Sequence, residues 1–178
     1  MRKRLRSYLP DPEKIRANRW LAYFGEALTH PRLWHLNRHS AAGGVAVGLF
    51  CGLIPGPFQM IGAALACVVL RVNLPLALVA TLYTNPLTIV PLYLLAFGLG
   101  KLVLGGHGGE FVAPPDWGAR AFSAWVAELI DWMAGLGKPL FLGLVLLASL
   151  LSLAGYFAVR AAWRWHLVRA WRKRKARA

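Results

Sequence analysis

Acidic side chains are the scarcest feature of this 178-residue chain: seven Asp and Glu stand against 21 Lys and Arg, a net charge of +14. Charged residues of either sign make up 16% of it, where an ordinary soluble domain carries about 25%. Cysteine is nearly absent too, and Cys51 and Cys67 alone cannot staple a chain of this length, which excludes a disulfide scaffold. With 57% hydrophobic residues, intrinsic disorder is excluded as well. A purely soluble nucleic-acid-binding domain would have nowhere to bury so much apolar surface.

Three long stretches, residues 40–70, 72–100 and 139–159, contain no Asp, Glu, His, Lys or Arg at all. No acid–base pair can be assembled inside them, so the chain is not expected to be an enzyme. Elsewhere the candidates are thin. His30, His35 and His39 cluster, and the last two are one helical turn apart, but no acidic or cysteine third ligand is near in sequence. His107 with Glu110 is less specific still. No metal and no cofactor is expected, and Cys51 and Cys67 read as small packing residues.

What is present is basic charge at both ends. Residues 1–39 carry nine basic and three acidic side chains, residues 40–159 four of each, and residues 160–178 eight basic and none acidic. A neutral apolar body between two basic tails is the layout of an integral membrane protein with both termini in the cytoplasm. Nucleic acid would also suit such tails but is not expected as a partner. Met1-Arg2-Lys3-Arg4-Leu5-Arg6 looks like the start of a signal peptide, yet Tyr8-Leu9-Pro10-Asp11-Pro12-Glu13 follows instead of an apolar core, so no cleavage is expected.

Only one of the three apolar stretches reads as ordinary. Residues 139–159 span about 31 Å as helix, close to the hydrocarbon thickness, and form a plain transmembrane helix that tolerates Pro139 in its first turn. In residues 40–70, Pro55-Gly56-Pro57 forbids a continuous helix and leaves two halves too short to cross. A re-entrant helical hairpin is the economical solution, and a single kinked span is the alternative. Gly44, Gly48 and Gly52 repeat every fourth residue on the first half, a spacing that lets another helix approach closely. Residues 72–100 are opened by Asn73 and Pro75 and interrupted by Asn85-Pro86 and Pro91, which predicts a broken transmembrane helix. The fold class is therefore an all-α membrane protein, with a re-entrant hairpin, two transmembrane helices (one broken at Asn85-Pro86) and amphipathic interfacial helices.

The organisation that follows has five parts. Residues 1–39 are basic cytoplasmic amphipathic helices, including one capped by Asp11 and started by Pro12. Residues 40–101 are the hairpin and broken helix. Residues 102–138 are an external loop and an amphipathic helix, capped by Asp116 and running from about Trp117 to Leu136, with Phe122, Trp125, Val126, Leu129, Trp132, Met133 and Leu136 on its apolar face. That helix lies on the outer surface or caps the bundle. Residues 139–159 cross the membrane, and residues 160–178 form a basic tail whose Arg172, Lys173, Arg174 and Lys175 are placed to contact anionic headgroups.

The phrases Gly48-Leu49-Phe50-x-Gly52-Leu53-Ile54-Pro55-x-Pro57-Phe58-Gln59, Arg71-x-Asn73-x-Pro75 and Asn85-Pro86-Leu87-Thr88-x-x-Pro91-x-Tyr93, in this order, resemble a bacterial domain-of-unknown-function family of small integral inner-membrane proteins. The resemblance runs from about Leu33 to Gly105 and leaves the amphipathic segment and the tails outside. It implies a location in the bacterial inner membrane and no established activity. In some relatives it implies fusion to glycosyltransferase domains, hence a partner in lipid-linked sugar metabolism.

The remaining candidates for chemistry are polar residues beside the proline breaks: Gln59, Asn73, Thr84, Asn85 and Thr88, with Arg71 at the junction of the first two stretches. Broken helices with polar groups at the break are how transporters build sites in the bilayer midplane. Simple helix-to-helix hydrogen bonding is the competing reading, and it is favoured for Tyr83 and Thr81. Two functions from different classes follow. One is a small transporter or translocase for an anionic lipid or phosphate-bearing solute, expected to be a homo-oligomer because so few crossings cannot enclose a path. The other is a non-transporting adaptor whose basic tails recruit an enzyme or anionic lipid.

Overall fold

In the computed structural model, residues 31–56, 58–85, 87–106, 110–115 and 121–175 are described. The expected N-terminal helices before Pro31, the residues Pro57 and Pro86, the glycine-rich stretch around His107, and Asp116 with Trp117 lie outside these. The described residues form helices and no strand: α1 (Pro31–Trp34), α2 (Arg38–Cys51), α3 (Phe58–Leu70), α4 (Leu74–Thr81), α5 (Ile89–Val103) and α6 (Phe122–Lys175). One of them, over Ser123–Arg169, is long and apolar enough to cross a membrane.

Asparagine starts two of these helices and the turn that leads into a third. Asn37 Oδ1 accepts from the His39 and Ser40 amides at 2.9 and 2.8 Å and caps α2. Asn73 Oδ1 accepts from Leu76 N at 2.9 Å and caps α4, with Pro75 in the first turn where its missing N–H costs nothing. Asn85 Oδ1 accepts from Leu87 N and Thr88 N at 2.9 and 3.1 Å, while Asn85 N donates to Thr88 Oγ1 at 3.0 Å. This reciprocal pair is a capping box with Thr in the place usually held by Glu, and it launches the turn that becomes α5. Pro91, expected as a break, is the third residue of α5 and lies within its first turn, where proline is tolerated.

The glycine stripe sets the first layer. A Cβ on Gly44 would strike the Asn73 carbonyl, one on Gly48 the Ala77 carbonyl, and one on Gly52 the Tyr83 ring. Both partners rise together in number, so α2 and α4 run parallel in backbone-to-backbone contact. The helix between them, α3, returns: Gly62 meets Ile54 and Cys51 near the turn, and Cys67 reaches the Asn73 carbonyl at the far end. Leu33, Val47, Cys51, Ala63, Cys67, Leu74 and Ala77 form the core of this layer.

The second half of the chain is laid against α6. Pro139 abuts Gly100 and Gly143 abuts the Ala96 carbonyl, so α5 and α6 are antiparallel. Further along α6, Leu144, Leu147 and Ala148 share a core with Leu53, and Gly155 meets Leu49 and Val45 of α2. Thus α5 and α2 follow one another along a single helix, with the end of α2 meeting the start of α5.

An external helix and a separate spanning helix are expected, and α6 is two helices meeting at Gly137 (φ 60°, ψ −149°), a non-helical conformation that glycine alone adopts easily. The bend there lets the arm before Gly137 fold back. Trp132 stacks on Tyr93 at 5.7 Å between ring centroids, and Trp125 covers Gly56 at the tip of the α2–α3 turn. The indole N–H groups donate to carbonyls of the neighbouring segment, Trp125 to Pro115 at 3.1 Å and Trp132 to Val112 at 2.8 Å.

Candidate functional site

A helix that stops inside a protein leaves carbonyls without amide partners, and these must be satisfied by other donors. At the end of α2 the donors are hydroxyls from the break between α4 and α5 and from the start of α5. Tyr83 donates to the Leu49 carbonyl at 2.9 Å and Tyr93 to the Leu53 carbonyl at 2.9 Å. Thr84 Oγ1 lies 2.6 Å from the Gly52 carbonyl. Thr88 donates to the Tyr83 carbonyl at 2.6 Å while accepting from Asn85 N, so the break is bonded through its own backbone as well.

The Thr84 hydroxyl is the centre of this junction. Besides the Gly52 carbonyl, it lies 2.7 Å from Gln59 Oε1 of α3 and 3.0 Å from the Thr81 carbonyl at the end of α4. Thr84 is buried; Gln59 is half-buried and Asn85 exposed. Four of the polar residues expected to share a site, Gln59, Thr84, Asn85 and Thr88, therefore gather at one junction. It is covered on one side by Trp125 over Gly56 and by Trp132 over Tyr93.

Arg71 and Asn73 are not there. They sit at the opposite end of α4, next to the start of α2, where Asn73 N donates to the Ser40 carbonyl at 3.1 Å. Arg71 has φ 54° and follows the end of α3, and Val72 N closes onto the Cys67 carbonyl at 3.2 Å, which makes Arg71 the left-handed residue of a Schellman cap. Asn73 is fully buried and its Nδ2 has no hydrogen-bond partner. Arg172 and the basic run after it lie at the far end of α6.

Two features of the junction went beyond the sequence reading. Tyr83, read as bonding between helices, and Tyr93 close the end of α2 through their hydroxyls, and the carbonyls they take lie far away in sequence. The only signal was a tyrosine on each side of the Asn-Pro break, where phenylalanine would pack as well but could not donate. The two tryptophans read as an apolar face and in fact cover the junction. Among the described residues, no group of three or more His, Cys, Asp or Glu is placed to hold a metal ion.

The junction is thus a meeting of four helix ends, α2 and α4 by their carbonyl ends and α3 and α5 by their amide ends, bridged by neutral hydroxyl and amide groups. No curated protein and no solved structure matches the chain. Over residues 21–172 it matches DUF2062, described as an uncharacterized protein conserved in bacteria. The match reaches beyond the Leu33–Gly105 stretch that carries the three phrases, taking in the amphipathic arm and most of the basic end that were expected to fall outside. The chain belongs to this family of uncharacterised bacterial proteins.

Proposed function

We propose that this is a multi-pass inner-membrane protein, both termini cytoplasmic, that moves an anionic lipid or phosphate-bearing solute past the α2–α5 junction. The observation that carries the reading is the end-to-end placement of α2 and α5 along the charge-free part of α6. The 14 residues of α2 and 15 of α5 measure about 21 and 22 Å, each too short to cross a bilayer alone. Residues 139–159 of α6, at about 31 Å, match the hydrocarbon core. In this reading α2 and α3 dip in as a re-entrant hairpin, α4 and α5 cross as one broken helix, and α6 returns. The junction then falls near the midplane, where discontinuous helices of transporters hold their substrates. The hydroxyl bonds onto Leu49, Gly52 and Leu53 supply what lipid could not, since backbone carbonyls at that depth need protein partners.

The test is reconstitution in liposomes with fluorescent phospholipid, an isoprenyl phosphate and inorganic phosphate as separate cargoes. Movement of one of them, lost on substitution at Gln59 or Thr84, is the expected result. No movement of any removes the reading. A cysteine placed at Gly106 labels from outside intact cells if the topology is right, and labelling only after lysis overturns it.

A second reading, an adaptor, draws on the end of α6. Its helix runs without a break from 138 to Lys175, which carries Arg172 about 20 Å past Val159. The headgroup layer is only about 5–8 Å deep on each side. Arg160 and Arg164 are at headgroup height in this placement. Arg172, Lys173, Arg174 and Lys175 stand beyond it, within reach of a soluble enzyme of lipid-linked sugar metabolism. Removal of residues 169–178 that abolishes copurification of such a partner, with flux untouched, favours this second role.

A further inference from the structure

The last turns of α6 carry large apolar side chains that face outward. Trp165 is 60% exposed, Leu167 51%, Val168 41% and Trp171 69%. The Arg169 guanidinium lies over the Trp165 ring at 3.6 Å, so that indole is already covered on one face. Leu167, Val168 and Trp171 are left open, and together with Arg172 they line a shallow depression on the helix surface. Positions 167 and 168 are one turn before 171 and 172, so the four share a face, with Arg164 a turn ahead of them and His166 on the opposite side. The setting is wholly basic: residues 160–178 hold eight Lys and Arg and no Asp or Glu. An apolar patch bordered by charge marks a place where something binds.

Charge and geometry decide between the possible occupants. In the membrane placement proposed above the bilayer does not reach this face. No Gly or Pro occurs between Arg160 and Lys175 and the backbone is helical throughout, so the end cannot turn to lie along the surface. Leu167 is then about 12 Å and Trp171 about 18 Å past Val159, beyond a headgroup layer about 5–8 Å deep. A second copy of the same helix would bring a second set of positive charges with no negative one, which repels it. A nucleic-acid duplex answers the charge through its phosphates, but the aliphatic Leu167 and Val168 find no partner there. A protein groove that is apolar inside and acidic at its rim matches both features, the mode in which basic amphipathic helices are gripped.

We propose that the Leu167, Val168 and Trp171 face of α6 is the docking surface for a cytoplasmic protein that holds it in an apolar groove with an acidic rim. Trp171 is the anchor that fills the groove, and carboxylates of the rim meet Arg164 and Arg172 at the two ends of the face. The proposal rests on the adaptor reading and on the placement of α6 across the membrane; to these it adds which face is used and what chemistry the partner must have. It does not depend on transport at the α2–α5 junction.

The experiment places the photoreactive residue benzoylphenylalanine at Leu167, at Trp171 or, on the opposite face, at His166 of the full chain. Intact cells are irradiated and the adducts identified by mass spectrometry. The expected result is one acidic protein joined at Leu167 and at Trp171, with about tenfold less from His166. With the probe at Leu167, Trp171→Ala and the double variant Arg164→Gln, Arg172→Gln should each reduce that adduct about tenfold, with the amount of chain in the membrane unchanged. These side chains are exposed, so their replacement does not disturb the core. An acidic protein caught equally from all three positions overturns the face and leaves the adaptor reading standing. No protein adduct from any position removes both. Phospholipid adducts at Leu167 and Trp171 overturn the proposal together with the placement of the helix end, and adducts with nucleic acid or with a second copy of the chain overturn the assigned partner.

Discussion

Tyr93 donates its hydroxyl hydrogen to the carbonyl oxygen of Leu53 at 2.9 Å, joining the first turn of one half-length helix to the end of another, forty residues earlier in the chain. Tyr93 is buried at 1% exposure and Leu53 at 3%, so water cannot replace the bond. Tyr93→Phe keeps the ring stacked on Trp132 and removes only the donor. The Leu53 carbonyl is then left unpaired, at a cost of about 1–3 kcal/mol. Tyr83→Phe does the same to Leu49 from a half-buried position and should cost about 1 kcal/mol or less. Denaturant unfolding of the two variants in one detergent checks both the size and the order.

Glycine separates contact from open space with equal clarity. A Cβ at Gly48 or Gly143 would lie inside the van der Waals radius of a facing backbone carbonyl, from Ala77 and Ala96 respectively, while at Gly98 nothing lies within 4 Å. Backbone cannot move aside as a flexible side chain can. Gly48→Ala and Gly143→Ala should therefore lower the melting temperature by several degrees or prevent folding, and Gly98→Ala should leave it unchanged or raise it, the gain in helix propensity being up to about 1 kcal/mol. A melting series on the three variants reads the difference directly.

These two results mark how far the chain could be read without coordinates. The breaks were legible because proline and asparagine act locally: Asn73-x-Pro75 and Asn85-Pro86 place a cap and a forced helix start within three residues. The Gly44, Gly48, Gly52 stripe was legible because its period is helical. The same asparagines, however, read as candidates for a pathway, since N-capping and ligand contact draw on the same side-chain atoms and only coordinates show which partner is taken. Gly143 belongs to no repeat, and its contact with Ala96 depends on how α5 lies on α6. The fold-back of Trp125 and Trp132 rests on one residue, Gly137, flanked by Leu136 and Lys138 in an otherwise helical run. The Tyr83 and Tyr93 bonds cross 34 and 40 residues, beyond any local pattern.

The capping role of Asn85 gives a way to separate structure from transport. Its Oδ1 takes the Leu87 and Thr88 amides, which Asp and Ser can do and Ala cannot. Asn85→Ala should cost about 1 kcal/mol, and Asn85→Asp and Asn85→Ser should cost little. If Asn85 only holds the turn before α5, cargo flux follows stability across the three variants. If it also meets an anionic cargo, Asn85→Asp keeps the stability and loses the flux, because a carboxylate repels the anion at the amide end it caps. Parallel melting and flux measurements on one set of preparations decide between the two.

Arg71 carries the last prediction, because its backbone and side chain argue in opposite directions. At φ 54° it occupies a left-handed position that glycine adopts without strain and a side-chain-bearing residue adopts at a cost of about 1 kcal/mol. The Schellman cap made by Val72 N and the Cys67 carbonyl does not need a side chain there. Arg71→Gly should therefore fold normally and gain up to about 1 kcal/mol, less whatever the exposed guanidinium contributes at the end of α3 through the helix dipole, about 0.3–1 kcal/mol. Arg71→Lys keeps the charge and the strain but replaces the planar fork that binds phosphate with two parallel hydrogen bonds. A variant order in which Arg71→Gly is at least as stable as the wild type, while both variants lose uptake of phosphate-bearing cargo, assigns the arginine to recognition at the mouth of the α2–α4 pair. Unchanged uptake in Arg71→Gly leaves it no role beyond the helix end.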